Sequence, residues 1–512
     1  MNAQRAAAMS RGTRVLTALC LALGTFMQVL DTSIANVAIP TIAGNLGVST
    51  DQGTWVITSF AVANGISVPL SAWFMQRYGV VKTFVLSVLF FTATSFLCGV
   101  AWSLSSLIFF RVLQGATSGP MIPGSQALLI YMFPPERKGT ALVIWSMTTL
   151  VAPICGPILG GYISDNWSWP WIFLINVPVG LLASAVCWRN LKSMETPTRL
   201  VPIDKVGLSL LVVWVGALQI MLDKGKDLDW FSSTPIVVLA VVTVIGFAAW
   251  LIWELTEEHP VVDLTLFKSR NFTVGVVAFA VGYAVMFGNL VLLPLWLQTQ
   301  FGYTATWAGL AAAPAGVVSV LLSPLVGRLS AKIDVRWLAS GSLLAFAISY
   351  YIRSRFTMQV DFFDVVIPML IQGIAMSAFF VTLITLLLEG LPPERIPVAS
   401  ALSNFLRIIA GSFATSVTTT MWDRHEALHQ THLAEASTAF SPTLQGAMHT
   451  LQGGGLDEAQ SIGVLTRELV RQAYLLSSLD LFWLSTWLSL ALVVIVWFTR
   501  PARAGAAAAA AE

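Results

Sequence analysis

Phe133-Pro134-Pro135-Glu136-Arg137 recurs as Leu391-Pro392-Pro393-Glu394-Arg395, 258 residues further along the chain. The same offset carries Gln114-Gly115 onto Gln372-Gly373. A fainter echo, at 255, sets Ala72-Trp73-Phe74-Met75-Gln76-Arg77 against Gly327-Arg328-Leu329-Ser330-Ala331-Lys332. Matches at one offset argue for a duplicated half, and the fold follows from what each half contains.

Each half is greasy. Of 512 residues, 56% are hydrophobic and 11% charged, where a soluble domain carries about 25% charged residues. Lipid must be the solvent for much of this surface. Apolar runs of about 20 residues lie near 15–39, 53–75, 83–101, 105–130, 140–163, 170–189, 205–223, 234–254, 272–298, 307–328, 336–356, 364–388, 398–421 and 479–499. That is an all-α membrane protein with fourteen spans. The offset pairs the fourth span with the twelfth. Spans one to six therefore match nine to fourteen, and spans seven and eight are inserted between two six-helix bundles. Such parallel repeats are a transporter architecture, with the substrate path between them.

The implied organisation is a cytoplasmic segment 1–14, an N-terminal bundle 15–189, inserted helices within 190–271, a C-terminal bundle 272–499 and a cytoplasmic tail 500–512. Lys and Arg set the orientation. With the N-terminus inside, nineteen of the 28 basic residues fall on cytoplasmic segments and helix ends. Seven fall outside, including Arg353 and Arg355, and Arg111 and Arg407 fall within helices. Both termini then lie in the cytoplasm, and the one long loop, 422–478, faces outward and extends the helices on either side of it. Arg5, Arg11 and Arg14 precede a run too long for a cleaved signal, so the first span stays.

Net charge is only +2, which gives no basic field for nucleic acid. No GxxxxGK[ST] occurs, so ATP-driven work is not expected. No soluble catalytic domain fits between the spans, and neither an enzyme nor a cofactor is implied. Cys20, Cys98, Cys155 and Cys187 read as small apolar core residues. His425, His429 and His432 repeat at helical spacing in the outer loop and read as a solvated helix face rather than a metal site.

Charge inside a span is the signal that carries chemistry, since a central acid costs about 2.5–3.5 kcal/mol on insertion scales. Asp31 and Arg111 stand out. At 1.5 Å per residue, Asp31 lies about 12 Å and Arg111 about 9 Å inside the outer ends of their spans. They can bridge, either as a structural pair or as a proton-handling one. Repeat counterparts are Asn289 and Met369, so charge is expected in the first half only. A proton crossing about 100 mV releases about 2.3 kcal/mol, enough for a roughly fifty-fold concentration ratio. Asp223, at a span end, is a further acid of this kind, and Glu254, Glu389 and Asp480 read as helix-end acids.

Amide and aromatic residues in the spans suit a pocket for apolar ligands. In the first half these are Phe26, Gln28, Asn36, Gln114, Trp145 and Met147. In the second they are Asn289, Trp296, Gln372 and Arg407. Pro153, Gly156, Pro157, Gly160 and Gly161 place small and bending residues at helical spacing in the fifth span, where backbones can approach closely.

Leu30-Asp31-Thr32-Ser33-Ile34-Ala35-Asn36-Val37-Ala38-Ile39-Pro40 resembles the first-helix motif of the fourteen-span drug/proton antiporters of the major facilitator superfamily. Arg111-Val112-Leu113-Gln114-Gly115 resembles the superfamily's fourth-helix motif. Gly156-Pro157-Ile158-Leu159-Gly160-Gly161 resembles the fifth-helix antiporter motif, and Trp171-Ile172-Phe173-Leu174-Ile175-Asn176-Val177-Pro178 fits the same group. The resemblance spans essentially the whole chain. It implies export of hydrophobic drugs against proton entry across a bacterial inner membrane. It also implies a periplasmic adaptor (EmrA-like) and an outer-membrane channel (TolC-like). By position, Asp31 would be the proton-coupling acid, Arg111 its modulator, and Gly156-Pro157 the antiporter hinge. Gln76 departs from the pattern, standing where an acid is usual, and so does Pro170, where many relatives have arginine. A facilitator or importer of a small metabolite, or a receptor or scaffold without flux, are the competing readings.

Overall fold

A computed structural model describes residues 9–133, 138–200, 202–258, 260–330, 332–437 and 441–500. Pro134 to Arg137, most of the first copy of the repeated motif, lie outside them, as do residues 1–8 and 501–512. The described residues form helices and no strand. In chain order these are α1 (Arg11–Leu46), α2 (Trp55–Tyr78), α3 (Val80–Gly99), α4 (Leu104–Ser118), α5 (Met121–Met132), α6 (Lys138–Asn166), α7 (Asn176–Leu191) and α8 (Lys205–Lys224). They continue as α9 (Thr234–Thr256), α10 (Arg270–Gln300), α11 (Ala305–Leu329), α12 (Val335–Arg353), α13 (Phe362–Leu388), α14 (Ile396–Ala436), α15 (Pro442–Gly453) and α16 (Glu458–Val496).

Twelve helices among the described residues are long and apolar enough to cross a membrane. The other two expected spans are α6, at 29 residues, and the broken pair α4 and α5. The break has a simple cause. Pro120 has no N–H to give the carbonyl of Ala116, one helical turn back. The Ser67 hydroxyl donates to that carbonyl instead. Gly119 makes room for it, since a Cβ there would lie 2.5 Å from the Ser67 carbonyl carbon. Lipid exposure is plainest on α9, where only 17% of the apolar window is buried.

Helix ends are capped by side chains that satisfy the orphan N–H groups. Ser10 caps α1, Ser103 and Ser106 form a capping box on α4, and Asp457 with Gln460 forms another on α16. Glu195, beyond α7, accepts from the N–H groups of Val81 and Lys82 at 2.9 Å each, at the positive end of α3.

The duplication is visible in the packing. Gly115 of α4 lies so close to α2 that a Cβ would sit 2.5 Å from the Phe60 carbonyl oxygen. Gly373 of α13 meets the Ala315 carbonyl oxygen of α11 at 2.6 Å in the same way. Thus Gly115 and Gly373 keep the offset of 258, and their partners keep the offset of 255. Gly115→Ala and Gly373→Ala must push two helices apart, so each should cost about 1–3 kcal/mol. Gly341, on α12, has open space around it. Gly341→Ala should be neutral or stabilising by up to about 1 kcal/mol, because alanine favours helix. Thermal unfolding of the three variants in detergent checks the opposite signs.

Between the two sets of repeated helices, α6 packs on α11, and α2 and α5 pack on α14. Gly139 nearly touches Gly327, a Cβ there lying 2.8 Å from the Gly327 carbonyl oxygen. Gln126 of α5 accepts from Asn404 of α14 at 2.8 Å. The Tyr131 hydroxyl donates to the Pro393 carbonyl at 2.7 Å, in the second copy of the repeated motif. Outside this body, α14 and α16 run on as two long helices joined through α15. The 41 residues of α14 extend about 60 Å, twice the hydrocarbon thickness of a bilayer.

Candidate functional site

The acid and the guanidinium that matched in depth meet. Asp31 Oδ2 and Arg111 Nη1 are 2.6 Å apart, and both side chains are fully buried. Two amides complete the acid's shell: Gln114 Nε2 and Asn176 Nδ2 donate to Asp31 Oδ1 at 3.1 and 3.0 Å. Arg111 also donates through Nε to the Val56 carbonyl at 3.0 Å and through Nη1 to Gln114 Oε1 at 2.7 Å. Its guanidinium lies over the rings of Phe60 and Phe173, 4.2 and 5.4 Å from their centroids. Arg111 Nη2 is buried without a hydrogen-bond partner among the described residues. The carboxylate thus ties α1, α4 and α7 together, and Arg111 adds α2 through Val56.

Each element brings its residue for a local reason. Asp31 lies in the middle of α1, and Gln114 follows Arg111 by three residues, on the same face of α4. Asn176 begins α7, just after the short turn Trp171–Leu174, and also donates to Ser95 Oγ of α3 at 3.0 Å. Asn176 escaped the charge-based reading. Its signal was available: a lone amide inside an apolar run.

The second half overturns one expectation. Charge is not confined to the first half, because Arg353 is fully buried rather than set at the outer rim. It donates to Gln372 Oε1, approaches Met369 Sδ at 3.8 Å and lies 5.7 Å from the Phe482 centroid. The geometry mirrors the first half. Gln372 and Met369 stand 258 residues from Gln114 and Arg111, and Arg353 stands 258 from Ser95. Phe482 and Ser485 both stand 309 from Phe173 and Asn176, and Ser485 Oγ accepts from Asn289 at 2.8 Å. The cation has moved from the fourth-span position to the eleventh, and the acid has become Asn289. No carboxylate bonds Arg353, and its Nε and Nη1 have no hydrogen-bond partner among the described residues.

The remaining candidates divide. Asn289 and Gln372 line a small cavity of about 10 Å³ with Met369 and Met376. Asn289 also borders a groove of about 220 Å³ between α10, α14 and α16, lined mainly by apolar residues such as Leu292, Phe413 and Leu481. Arg407 donates to Asn404 Oδ1 at 3.2 Å and lies over Tyr283, so it adjoins the Gln126–Asn404 contact. Gln28 is buried with Oε1 unpartnered. Trp145 packs edge-on to Phe380, and Trp296 stacks on Phe356; both are fully buried. Phe26 and Met147 pack at the margins of the core, and Asn36 is exposed.

Asp223 is not part of the ion-pair site; it accepts from Thr58 in the last turn of α8. Gly156 and Gly160 bring α6 against α1, where Cβ atoms would lie 3.1 Å from the Ser33 carbonyl carbon and the Ile34 carbonyl oxygen. Pro153, Pro157 and Gly161 fall on the same helix, and their own surroundings lie outside the description. Glu254 is a buried acceptor for the Val262 N–H. His425 and His429 lie on a partly solvated face, and one ring nitrogen of each turns to Asp480, which lies inside α16 rather than at a helix end. His432 alone is exposed.

A family model described as Major Facilitator Superfamily matches residues 21–415. The chain is 51% identical over 488 residues to "Multidrug export protein EmrB" of Escherichia coli (strain K12), covering 95% of each chain. It is 48% identical over 483 residues to "Fatty acid resistance protein FarB" of Neisseria gonorrhoeae, covering 94% of this chain and 95% of that one. The solved proton:xylose symporter XylE matches with a TM-score of 0.62 at 12% identity, over 97% of this chain and 98% of that one, which speaks for the fold alone. On the duplicated helices, the buried acid–guanidinium centre and these matches together, the chain belongs to the Major Facilitator Superfamily.

Proposed function

We propose that this multi-pass membrane transporter is a proton-coupled antiporter that exports hydrophobic and amphiphilic drugs. The observation that carries the reading is the Asp31 carboxylate, fully buried and held by one guanidinium and two amides. Protonating it removes the charge that compensates Arg111. An uncompensated buried charge costs about 3–5 kcal/mol, so proton arrival pushes the four helices towards another arrangement. Asp223 is a second proton-handling candidate at the end of α8. The contacts α6–α11, α2–α14 and α5–α14 are the seams along which two six-helix bundles, 15–189 and 272–499, would rock, with 190–271 as the inserted pair. The glycine contacts of α6 on α1 suit a hinge.

Drugs would occupy the groove that Asn289 borders between α10, α14 and α16, which offers apolar walls with few polar groups; Gln372 and Arg407 are further candidate contacts. Support for multidrug export comes from the name carried by the relative that is 51% identical. The bacterial multidrug-export relative supports a bacterial inner membrane, and the Lys and Arg distribution supports both termini in the cytoplasm. The hairpin of α14 and α16 then faces the periplasm as the seat of an EmrA-like adaptor, feeding a TolC-like channel.

Everted vesicles tested against a compound panel at imposed pH gradients should accumulate cationic and neutral amphiphiles only when the lumen is acidic. Gradient-independent accumulation would favour a facilitator instead. Deleting residues 430–470 should reduce adaptor retention in a pull-down at least tenfold while monodispersity is kept. Undiminished retention would remove the hairpin as the docking seat.

A further inference from the structure

We propose that His425, His429 and Asp480 form a binding site for a divalent transition-metal cation, with Zn²⁺ as its test ligand, that staples α14 to α16. His425 and His429 stand one helical turn apart, so both rings leave the same face of α14. Asp480 comes from α16, across the hairpin. His425 Nδ1 lies 2.9 Å and His429 Nε2 lies 2.8 Å from the same oxygen, Asp480 Oδ2. All three ligand atoms lie within 4.8 Å of one another.

The donor set selects the ion. Two imidazole nitrogens and one carboxylate oxygen suit a borderline cation, not Ca²⁺ or Mg²⁺, which demand more oxygens. With bonds of about 2.0–2.2 Å, the ligand atoms of a tetrahedral Zn²⁺ site lie about 3.3 Å apart. The two nitrogen–oxygen distances need to open by a few tenths of an ångström, with water as the fourth ligand. Each ring can carry its proton on its other nitrogen, which leaves the nitrogen facing Asp480 free to bind the cation.

Access and charge also fit. Side-chain exposures are 35% for His425, 23% for His429 and 43% for Asp480, so the site is open to solvent yet shaped by packing. Asp423 and Glu426 flank it on α14. Lys226, a nearby cation, is held by Asp423 at 2.8 Å. Below the site, the Trp422 indole donates to Ser478 Oγ at 2.9 Å, so the two helices are already in register.

The test uses the full-length protein without a polyhistidine tag, in detergent, with Zn²⁺ competed against a chromophoric chelator. One equivalent should bind per chain. Affinity should fall at least tenfold in His429→Ala and in Asp480→Asn, and stay within twofold in His432→Ala. Added Zn²⁺ should raise the unfolding temperature of the parent and of His432→Ala, but not of the other two. Co²⁺ should give the intense visible bands of a tetrahedral site in the parent and in His432→Ala, but not in the other two. Metal-free melting separates loss of a ligand from loss of fold, and His425→Gln replaces any variant that fails to fold. Absence of a saturable equivalent, unchanged affinity in His429→Ala, or an equal loss in His432→Ala would overturn the assignment.

Discussion

Asp31→Asn should reduce proton-driven export to background while the protein still folds. The amide keeps an acceptor for Gln114 or Asn176 and loses the exchangeable proton. It therefore resembles the protonated acid without being able to release the proton. Substrate added to proteoliposomes should trigger proton release from the parent and none from the variant. Substrate binding, followed by ligand-dependent melting, should change less than threefold. The buried Arg111 loses its counter-charge, so the melting temperature should fall as well. Asp31→Glu lengthens the reach by one methylene and should restore part of the coupled flux. Undiminished proton release from Asp31→Asn would remove this carboxylate from the coupling mechanism.

Arg111 and Arg353, both fully buried, should respond oppositely to the same substitution. Arg111→Met strips a carboxylate of its cation and leaves it in an apolar site, a loss of about 3–5 kcal/mol. Arg353→Met removes a buried cation that no carboxylate bonds and places a flexible thioether beside Met369. Exchanging such a group for apolar packing is neutral or stabilising by about 1–4 kcal/mol. Thermal and chemical unfolding in one detergent gives both signs. Equal destabilisation would mean that Arg353 is compensated in a way that its hydrogen bonds do not express. Transport sharpens the contrast, since the Arg111 variant should lose coupling and the Arg353 variant should keep it.

Fourteen apolar runs, the two offsets and the depth match of Asp31 with Arg111 were all legible, each for a physical reason. Span length is set by bilayer thickness, and a helix rises uniformly, so a lone charge in an apolar run carries its own depth. Arg353 was misread because hydropathy places a terminal arginine at the rim. Helical side chains lean towards the N-terminus, so an arginine at the end of α12 reaches back into the bundle. The partner of His425 and His429 was not legible because Asp480 is 51 residues from the nearer of them, across a hairpin whose register sequence spacing does not reveal. The split of the fourth span at Gly119-Pro120 was written in the chain, but it becomes meaningful only when Ser67 arrives from α2 to satisfy the freed carbonyl.

The length of α14 has a mechanical meaning. One continuous rod carries Asn404 and Arg407 near its start and His425, His429 and the hairpin turn towards its end. A rod pivoting about its buried part magnifies displacement with distance, so a tilt that shifts a side chain by an ångström at the midplane moves the tip by several. Whatever rests on that tip receives each turnover as a stroke, transmitted through an unbroken ladder of backbone hydrogen bonds.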